Sequence, residues 1–302
     1  MSRDAPGSAR PASVFASASP RVPAGARGGA GGQGGDAFIR PRTVPAPELR
    51  LVVVPHAGGS GSVYHPLHRV LPTDWDLLLL DLPGRGKRHA QASVTDMASL
   101  VELVTEDVSA LDDGTPLALF GHSLGAVIAS ETARSLRTRG IAPVWVGVSG
   151  RQATSIQPAI RLLDPSLSDT ELARRLARLG GLPDRIDELP EFRDRFLRLI
   201  RSDLHALDSY RPDPDREPLS ADLTVFASTD DALAPVPGVS AWSRETSGDF
   251  RRRLFQGGHF HFLGETFPDF AEALAAEITH TLARLTPSGT EAATPHRRET
   301  PA

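Results

Sequence analysis

Short apolar runs recur along the chain at residues 49–54, 77–80, 117–120, 144–148 and 223–226. Each is nearly continuous rather than alternating, which is the pattern of a strand buried on both faces of a parallel sheet. Between them the period changes. Met97, Leu100, Val101, Val104, Val108 and Leu111 recur at helical spacing, and Phe270, Leu274, Ile278 and Leu282 do so near the end. Strands alternating with amphipathic helices predict an α/β fold with a mostly parallel central sheet. No internal repeat is visible.

One stretch, about 151–218, breaks the alternation with no convincing strand. Ser168 and Glu171 form a capping-box pattern ahead of Leu172, Leu176 and Leu179, and a second helix is expected from Pro190 with Phe192, Phe196, Leu199 and Ile200 on one stripe. Gly180-Gly181-Leu182-Pro183 separates the two. An all-helical insert between two late strands predicts a lid over the carboxyl ends of the sheet, where ligands bind in open α/β folds. Additional helical core is the plainer alternative. The ends differ from the rest: residues 1–45, with their run of glycines at 28–35, and residues 286–302, rich in Pro, Ser and Thr, hold too little apolar surface to offset the entropy of ordering. Disordered tails are expected there, with one domain spanning 46–285.

Composition narrows the chemistry. The chain has 302 residues, 40% hydrophobic and 23% charged, enough for one large core. No apolar run is long enough for a membrane span, and the amino-terminal stretch lacks the apolar region of a signal peptide, so a cytoplasmic protein is expected. With no cysteine, thiolate metal sites and a thiol nucleophile are excluded. A formal charge of -4 gives no electrostatic footprint for nucleic acid. No metal or bound cofactor is implied.

Gly121-His122-Ser123-Leu124-Gly125 follows the 117–120 run and opens onto Ala126-Val127-Ile128-Ala129. This is the pattern of a nucleophile elbow, a tight strand-to-helix turn that presents a serine hydroxyl to a base and to oxyanion donors. Glycines two before and two after the serine suit a turn where those residues approach closely. Such a serine needs a base late in the chain, and Gly257-Gly258-His259-Phe260-His261 supplies candidates. His259, directly after the glycines, is favoured over His261. His65, His68, His89 and His280 read as ordinary surface or core histidines, and His122 is expected to point away from the reaction. The carboxylate that orients the base should follow the 223–226 strand. Asp230 and Asp231 are both there, and Asp231, one position deeper into the loop, is favoured. Asp203 and Asp208, on the helical insert, are weaker candidates and are expected to be solvated. The Leu124 N–H is one oxyanion donor, and the loop Pro55-His56-Ala57-Gly58-Gly59 makes the Ala57 N–H the other. The glycine pair there lacks the lysine and spacing of a phosphate-binding loop.

The set Pro55-His56-Ala57-Gly58-Gly59, Asp81-Leu82-Pro83-Gly84-Arg85-Gly86, Gly121-His122-Ser123-Leu124-Gly125-Ala126, Ser149-Gly150-Arg151 and Gly257-Gly258-His259-Phe260 resembles, in order, the blocks of the type II thioesterases that accompany polyketide and nonribosomal peptide synthetases. Leu179-Gly180-Gly181-Leu182-Pro183 in the insert adds to the likeness, which covers about residues 49–285. The resemblance implies an α/β-hydrolase fold and a monomer. It implies hydrolysis of acyl thioesters from the phosphopantetheine arm of carrier proteins, with Ser123, His259 and Asp231 as catalytic triad and Ala57 and Leu124 at the oxyanion hole. The arm belongs to the substrate. Where the family usually carries glycine ahead of the acid, this chain has Ala227-Ser228-Thr229, and aligning Phe226 places Asp231 on the family's acid. A carrier protein is expected to dock near the lid, whose Arg174, Arg175, Arg178, Arg193, Arg195 and Arg198 could meet its acidic surface; a solvated helical face is the equal alternative. A carboxylesterase or an acyltransferase would use the same triad on small acyl substrates.

Overall fold

A computed structural model describes residues 37–156, 163–182 and 186–285. Seven strands form one sheet: β1 (Phe38–Ile39), β2 (Leu49–Val54), β3 (Trp75–Leu80), β4 (Leu117–His122), β5 (Trp145–Ser149), β6 (Asp222–Ser228) and β7 (Phe250–Phe255), in the spatial order β1-β3-β2-β4-β5-β6-β7. Only β1 is antiparallel to its neighbour; β2 to β7 run parallel. The helices are α1 (Met97–Ser109), α2 (Leu124–Thr138), α3 (Asp169–Leu179), α4 (Pro190–Ser209), α5 (Val236–Ser240) and α6 (Phe267–Leu285). This is the mostly parallel α/β sheet that the apolar runs predict.

The sheet is covered on both faces, which is why its strands are apolar throughout. On one face Val52, Val54, Leu78, Leu119 and Val146 pack with Leu100 and Val104 of α1 and Val127 and Ile128 of α2. On the other, Leu51, Leu77, Phe120, Trp145 and Phe226 pack with Phe270, Leu274 and Ile278 of α6. Successive side chains of each strand thus feed two separate cores, as the two-residue period of a strand requires. The insert has a smaller apolar cluster of its own, made by Leu172 and Leu176 of α3 with Leu197, Ile200 and Leu204 of α4. Half of the expected capping box forms at α3. Ser168 accepts the Glu171 N–H at 3.3 Å, while the Glu171 carboxylate turns to Arg174 and Arg175 instead of the cap backbone.

Two elements escaped the sequence pattern. Residues 37–45 are not tail: Ala37 and Phe38 are buried, and β1 pairs with β3 at Phe38–Leu80 and Ile39–Leu79. Two residues are too short for a periodic signal, yet they close one edge of the sheet. The remainder of both expected tails, 1–36 and 286–302, lies outside the described residues. The second is β7, whose Phe-Arg-Arg-Arg-Leu-Phe is too polar to read as a strand. It is an edge strand, where charge is tolerated and discourages pairing with other chains. Arg251 and Arg253 converge at 2.7 and 2.5 Å on Glu277, a fully buried carboxylate of α6.

Because Phe38 is an integral core residue, Phe38→Ala is expected to lower unfolding free energy by about 3 kcal/mol. Urea unfolding followed by tryptophan fluorescence reads this directly; a change under about 0.5 kcal/mol would return residues 37–45 to the tail.

Candidate active site

Four loops meet at the carboxyl ends of β2, β4, β6 and β7. The first is the turn from β4 into α2. Ser123 sits there at φ 57°, ψ -109°, the one non-glycine residue with positive φ among those described. A β-carbon at Gly121 would strike the Gly125 carbonyl, and one at Gly125 would come within 2.7 Å of the Pro55 carbonyl, so both glycines are required by close approach. The Ser123 N–H donates to the Ser149 carbonyl at 2.8 Å, pinning the strained residue to β5. The turn therefore holds the serine side chain out at the head of α2, with the Leu124 N–H beside it in the first turn of the helix.

The second and third loops bring the acid to the base. His259 Nδ1 donates to Asp231 Oδ2 at 2.9 Å, both residues being buried. Asp231 Oδ1 accepts the N–H groups of Leu233 at 2.8 Å and Ala234 at 3.2 Å. Burial works against ionisation of this carboxyl, but the hydrogen bond and charge of His259 and the two backbone donors outweigh it and hold the group below the usual carboxylate range. Asp230 is exposed and takes only the Thr229 hydroxyl at 3.0 Å. Of the adjacent aspartates, Asp231 is the one on the imidazole. The Ala227-Ser228-Thr229 departure also acquires a role. Ser228 Oγ lies 2.7 and 2.8 Å from the Gly257 and Gly258 carbonyls, so it ties the acid's strand to the histidine's loop.

Three further histidines surround His259. His122 turns into the protein with Nδ1 3.0 Å from Ser149 Oγ, its ring 4.7 Å from that of His259. Burial, then the charges of His259, His56 and His261, pushes it well below its ordinary value. His261 stacks on Phe255 at 5.1 Å; burial and the charge of His259, against the pull of Asp231, bring it down to about 4. His56, in the Pro55–Gly59 loop, packs edge-on against Phe260 at 4.9 Å and is pulled down to about 3 by burial, then by His259 and Arg85. All three are thus neutral at pH 7.

Ser123, His259, His56 and Ala57 line one small cavity of about 20 Å³, roofed by Leu163, Leu176, Leu179 and Ile200 of the insert and walled by Phe260. That is room for roughly one water molecule. Residues of the insert thus line the same cavity as the serine. In the Ala57 loop the Gly59 N–H donates to the His56 carbonyl at 3.0 Å and the Gly58 N–H to Asp203 at 2.7 Å. Asp203 is thus not solvated: it is 1% exposed and forms a two-pronged ion pair with Arg85 at 2.6 and 2.8 Å. The sequence pattern places it at a polar position of an amphipathic helix, and only the fold reveals the buried guanidinium opposite. Asp81 completes the support, accepting the Gly61 N–H and the Lys87 N–H, each at 2.9 Å. His56 was equally hidden, since nothing in its motif distinguishes a cavity residue from a loop residue.

On the insert's outer face Arg174 and Arg175 are paired with Glu171, and Arg193 with Asp187 at 3.3 Å. Arg178, Arg195 and Arg198 are exposed. Among the described residues no His, Asp or Glu cluster is arranged to hold a metal ion, and no helix is long and apolar enough to cross a membrane.

Comparison with known proteins gives the arrangement a context. A family model described as a thioesterase domain matches residues 49–278. A probable cadicidin biosynthesis thioesterase of Streptomyces griseus is 37% identical over 215 residues, 71% of this chain and 58% of that one, so the chain spans little more than half of that relative. The gramicidin S biosynthesis protein GrsT of Aneurinibacillus migulanus is 30% identical over 247 residues, covering 82% and 95%. The structure of the type II thioesterase BorB from the borrelidin biosynthetic cluster superposes with a TM-score of 0.72 at 32% identity, over 82% of this chain and 98% of that one.

The neutral histidines carry a pH signature. Folded values near 4 and 3, against about 6.5 unfolded, mean that the unfolded chain binds more protons below pH 6.5. Stability is complete above that pH and is lost as pH falls toward 4. His261→Phe, which removes one such group, is expected to shrink the drop in melting temperature between pH 7 and pH 5; an unchanged drop in paired thermal scans would contradict this.

Proposed function

Because the chain belongs to the thioesterase family, whose members hydrolyse thioesters, we propose that it clears acyl groups from the phosphopantetheine arm of carrier proteins in polyketide or nonribosomal peptide assembly, by a Ser-His-Asp triad and an acyl-enzyme. One observation carries the mechanism: the Asp231–His259 hydrogen bond of 2.9 Å leads to an imidazole that shares a cavity with a serine held at φ 57°.

In this reading Asp231 fixes the His259 tautomer with the proton on Nδ1, leaving Nε2 to take the Ser123 proton. Serine Oγ attacks the thioester carbonyl, and the N–H groups of Leu124 and Ala57 receive the oxyanion. Collapse breaks the carbon–sulfur bond, His259 returns the proton to the departing thiol, and water repeats the sequence to release the acid. Three neighbouring imidazoles, all neutral at pH 7, add no positive charge to oppose the imidazolium that forms on His259. The apolar roof of leucines suits an acyl chain. A cavity of about 20 Å³ is far below the 300–1,000 Å³ of ordinary ligand pockets, so the cover moves for substrate to reach the serine. The exposed Arg178, Arg195 and Arg198 near that cover suit the acidic surface of a carrier protein.

The test uses one acyl group on a carrier-protein thioester, on a pantetheine thioester and on a matched oxygen ester. Turnover is expected to be highest on the carrier, and preference for the oxygen ester would favour a carboxylesterase instead. Ser123→Ala is expected to abolish the acyl-enzyme seen by intact-protein mass spectrometry, and full activity in that variant would reject the assignment. Asp231→Asn should lower kcat by on the order of 10³–10⁴ while leaving the fold intact; a fall under tenfold would remove Asp231 from the triad.

A further inference from the structure

Asp203 belongs to the cover, yet its carboxylate is spent on the loop beneath it. Oδ2 accepts the Gly58 N–H at 2.7 Å and Arg85 Nη1 at 2.8 Å, while Oδ1 accepts Arg85 Nη2 at 2.6 Å. Arg85 Nη1 also lies 3.2 Å from the Gly59 carbonyl. The two side chains are 1% and 5% exposed. Helix α4 backs directly onto this loop: a β-carbon at Gly58, which has φ 74°, would run into Ile200 and come within 3.1 Å of Phe196.

The peptide planes explain what this achieves. The Gly58 N–H belongs to the Ala57–Gly58 peptide, so Asp203 fixes that plane. The His56 carbonyl, which accepts the Gly59 N–H at 3.0 Å, belongs to the preceding peptide. In a trans peptide the carbonyl and N–H point in opposite directions, so turning His56 O toward Gly59 sends the Ala57 N–H the other way. Both planes flanking Ala57 are thereby set, one by the loop itself and one by the cover. Burying a guanidinium and a carboxylate to do this is costly, and an apolar pair of similar volume would stabilise the helix contact at least as well. Apolar side chains cannot direct an amide.

We propose that Asp203, together with Arg85, is a positioning residue of the reaction: by fixing the Ala57–Gly58 peptide it holds in place the residue whose N–H, on the neighbouring peptide, faces the developing oxyanion, and it makes the placing of that donor depend on the seating of α4. This rests on the serine mechanism proposed above. The oxyanion hole is then completed only when the cover is in place, so a thioester carbonyl meets both donors after closure and not before.

Hydrolysis of an acyl-pantetheine thioester and the rate of labelling by a fluorophosphonate are measured for the unaltered chain, Asp203→Asn, Arg85→Lys and Ser123→Ala, with thermal unfolding to establish which variants fold. Asp203→Asn and Arg85→Lys are expected to lose at least about tenfold in kcat, with KM within threefold and labelling slowed in proportion; deleting a donor outright costs about 10²–10³. A smaller fall in kcat in either folded variant, or a loss confined to KM, overturns the proposal. Where Asp203→Asn does not fold, Arg85→Lys decides, because it keeps the charge and removes the fork. Absence of labelling in the unaltered chain, or labelling that persists in Ser123→Ala, removes the serine mechanism itself and with it any function for the clasp. Normal labelling of the unaltered chain with undiminished variants rejects the clasp alone.

Discussion

The close approach of Gly121 to Gly125 is the constraint on which the rest of the site depends. A chain leaving a central strand and entering a helix within three residues must pass through a backbone conformation that L-residues avoid, and Ser123 occupies it at φ 57°. Such strain costs of order 1–3 kcal/mol and persists only when the surroundings over-determine it. Here they do: β4 is held between β2 and β5, the Ser123 N–H is bonded to Ser149 O, and α2 is packed along most of its length. The fold absorbs the strain so that the serine side chain projects from the carboxyl end of the sheet, at the amino end of a helix whose dipole favours negative charge.

Around this fixed point the electrostatics are arranged by exclusion as much as by attraction. Four imidazoles lie in one buried patch, and a cationic form on more than one would be mutually repulsive. Burial keeps His56, His122 and His261 neutral, whereas His259 alone has a carboxylate in hydrogen-bond contact. The position of one aspartate thus sets one ring apart from the other three. Asp231 in turn has its second oxygen occupied by two backbone N–H groups, so its geometry is set before any substrate arrives.

The sequence carried the sheet and the elbow because both are local statements. Near-continuous apolar runs of four to six residues are what a doubly covered strand needs, and Gly-x-Ser-x-Gly between such a run and a helical pattern has few other physical uses. Depth into a loop also decides reach, and of the two adjacent aspartates the deeper, Asp231, is the one that contacts His259. What was not legible was made by partners distant in the chain. β1 is two residues long and exists through its pairing with β3, and β7 is an arginine strand made possible by Glu277 on α6. Asp203 looked like the polar side of an amphipathic helix, because the Arg85 that neutralises it is 118 positions away. Neither periodicity nor composition reports a buried ion pair.

That same ion pair changes how the cover is to be understood. Its apolar cluster, built on Leu172, Leu176, Leu197, Ile200 and Leu204, is separate from the two cores flanking the sheet, but Ala206 of α4 belongs to one of those cores, and Ala57 and Leu207 pack against both that core and the cluster. A purely apolar contact between the insert and the sheet would tolerate sliding, since the hydrophobic effect has no preferred direction. A two-pronged Arg–carboxylate pair does not slide: its bonds are satisfied in one register and lost within an ångström of it. Placing that pair where α4 meets the Ala57 loop gives the insert one register against the sheet, and in that register the Gly58 N–H is held by the same carboxylate.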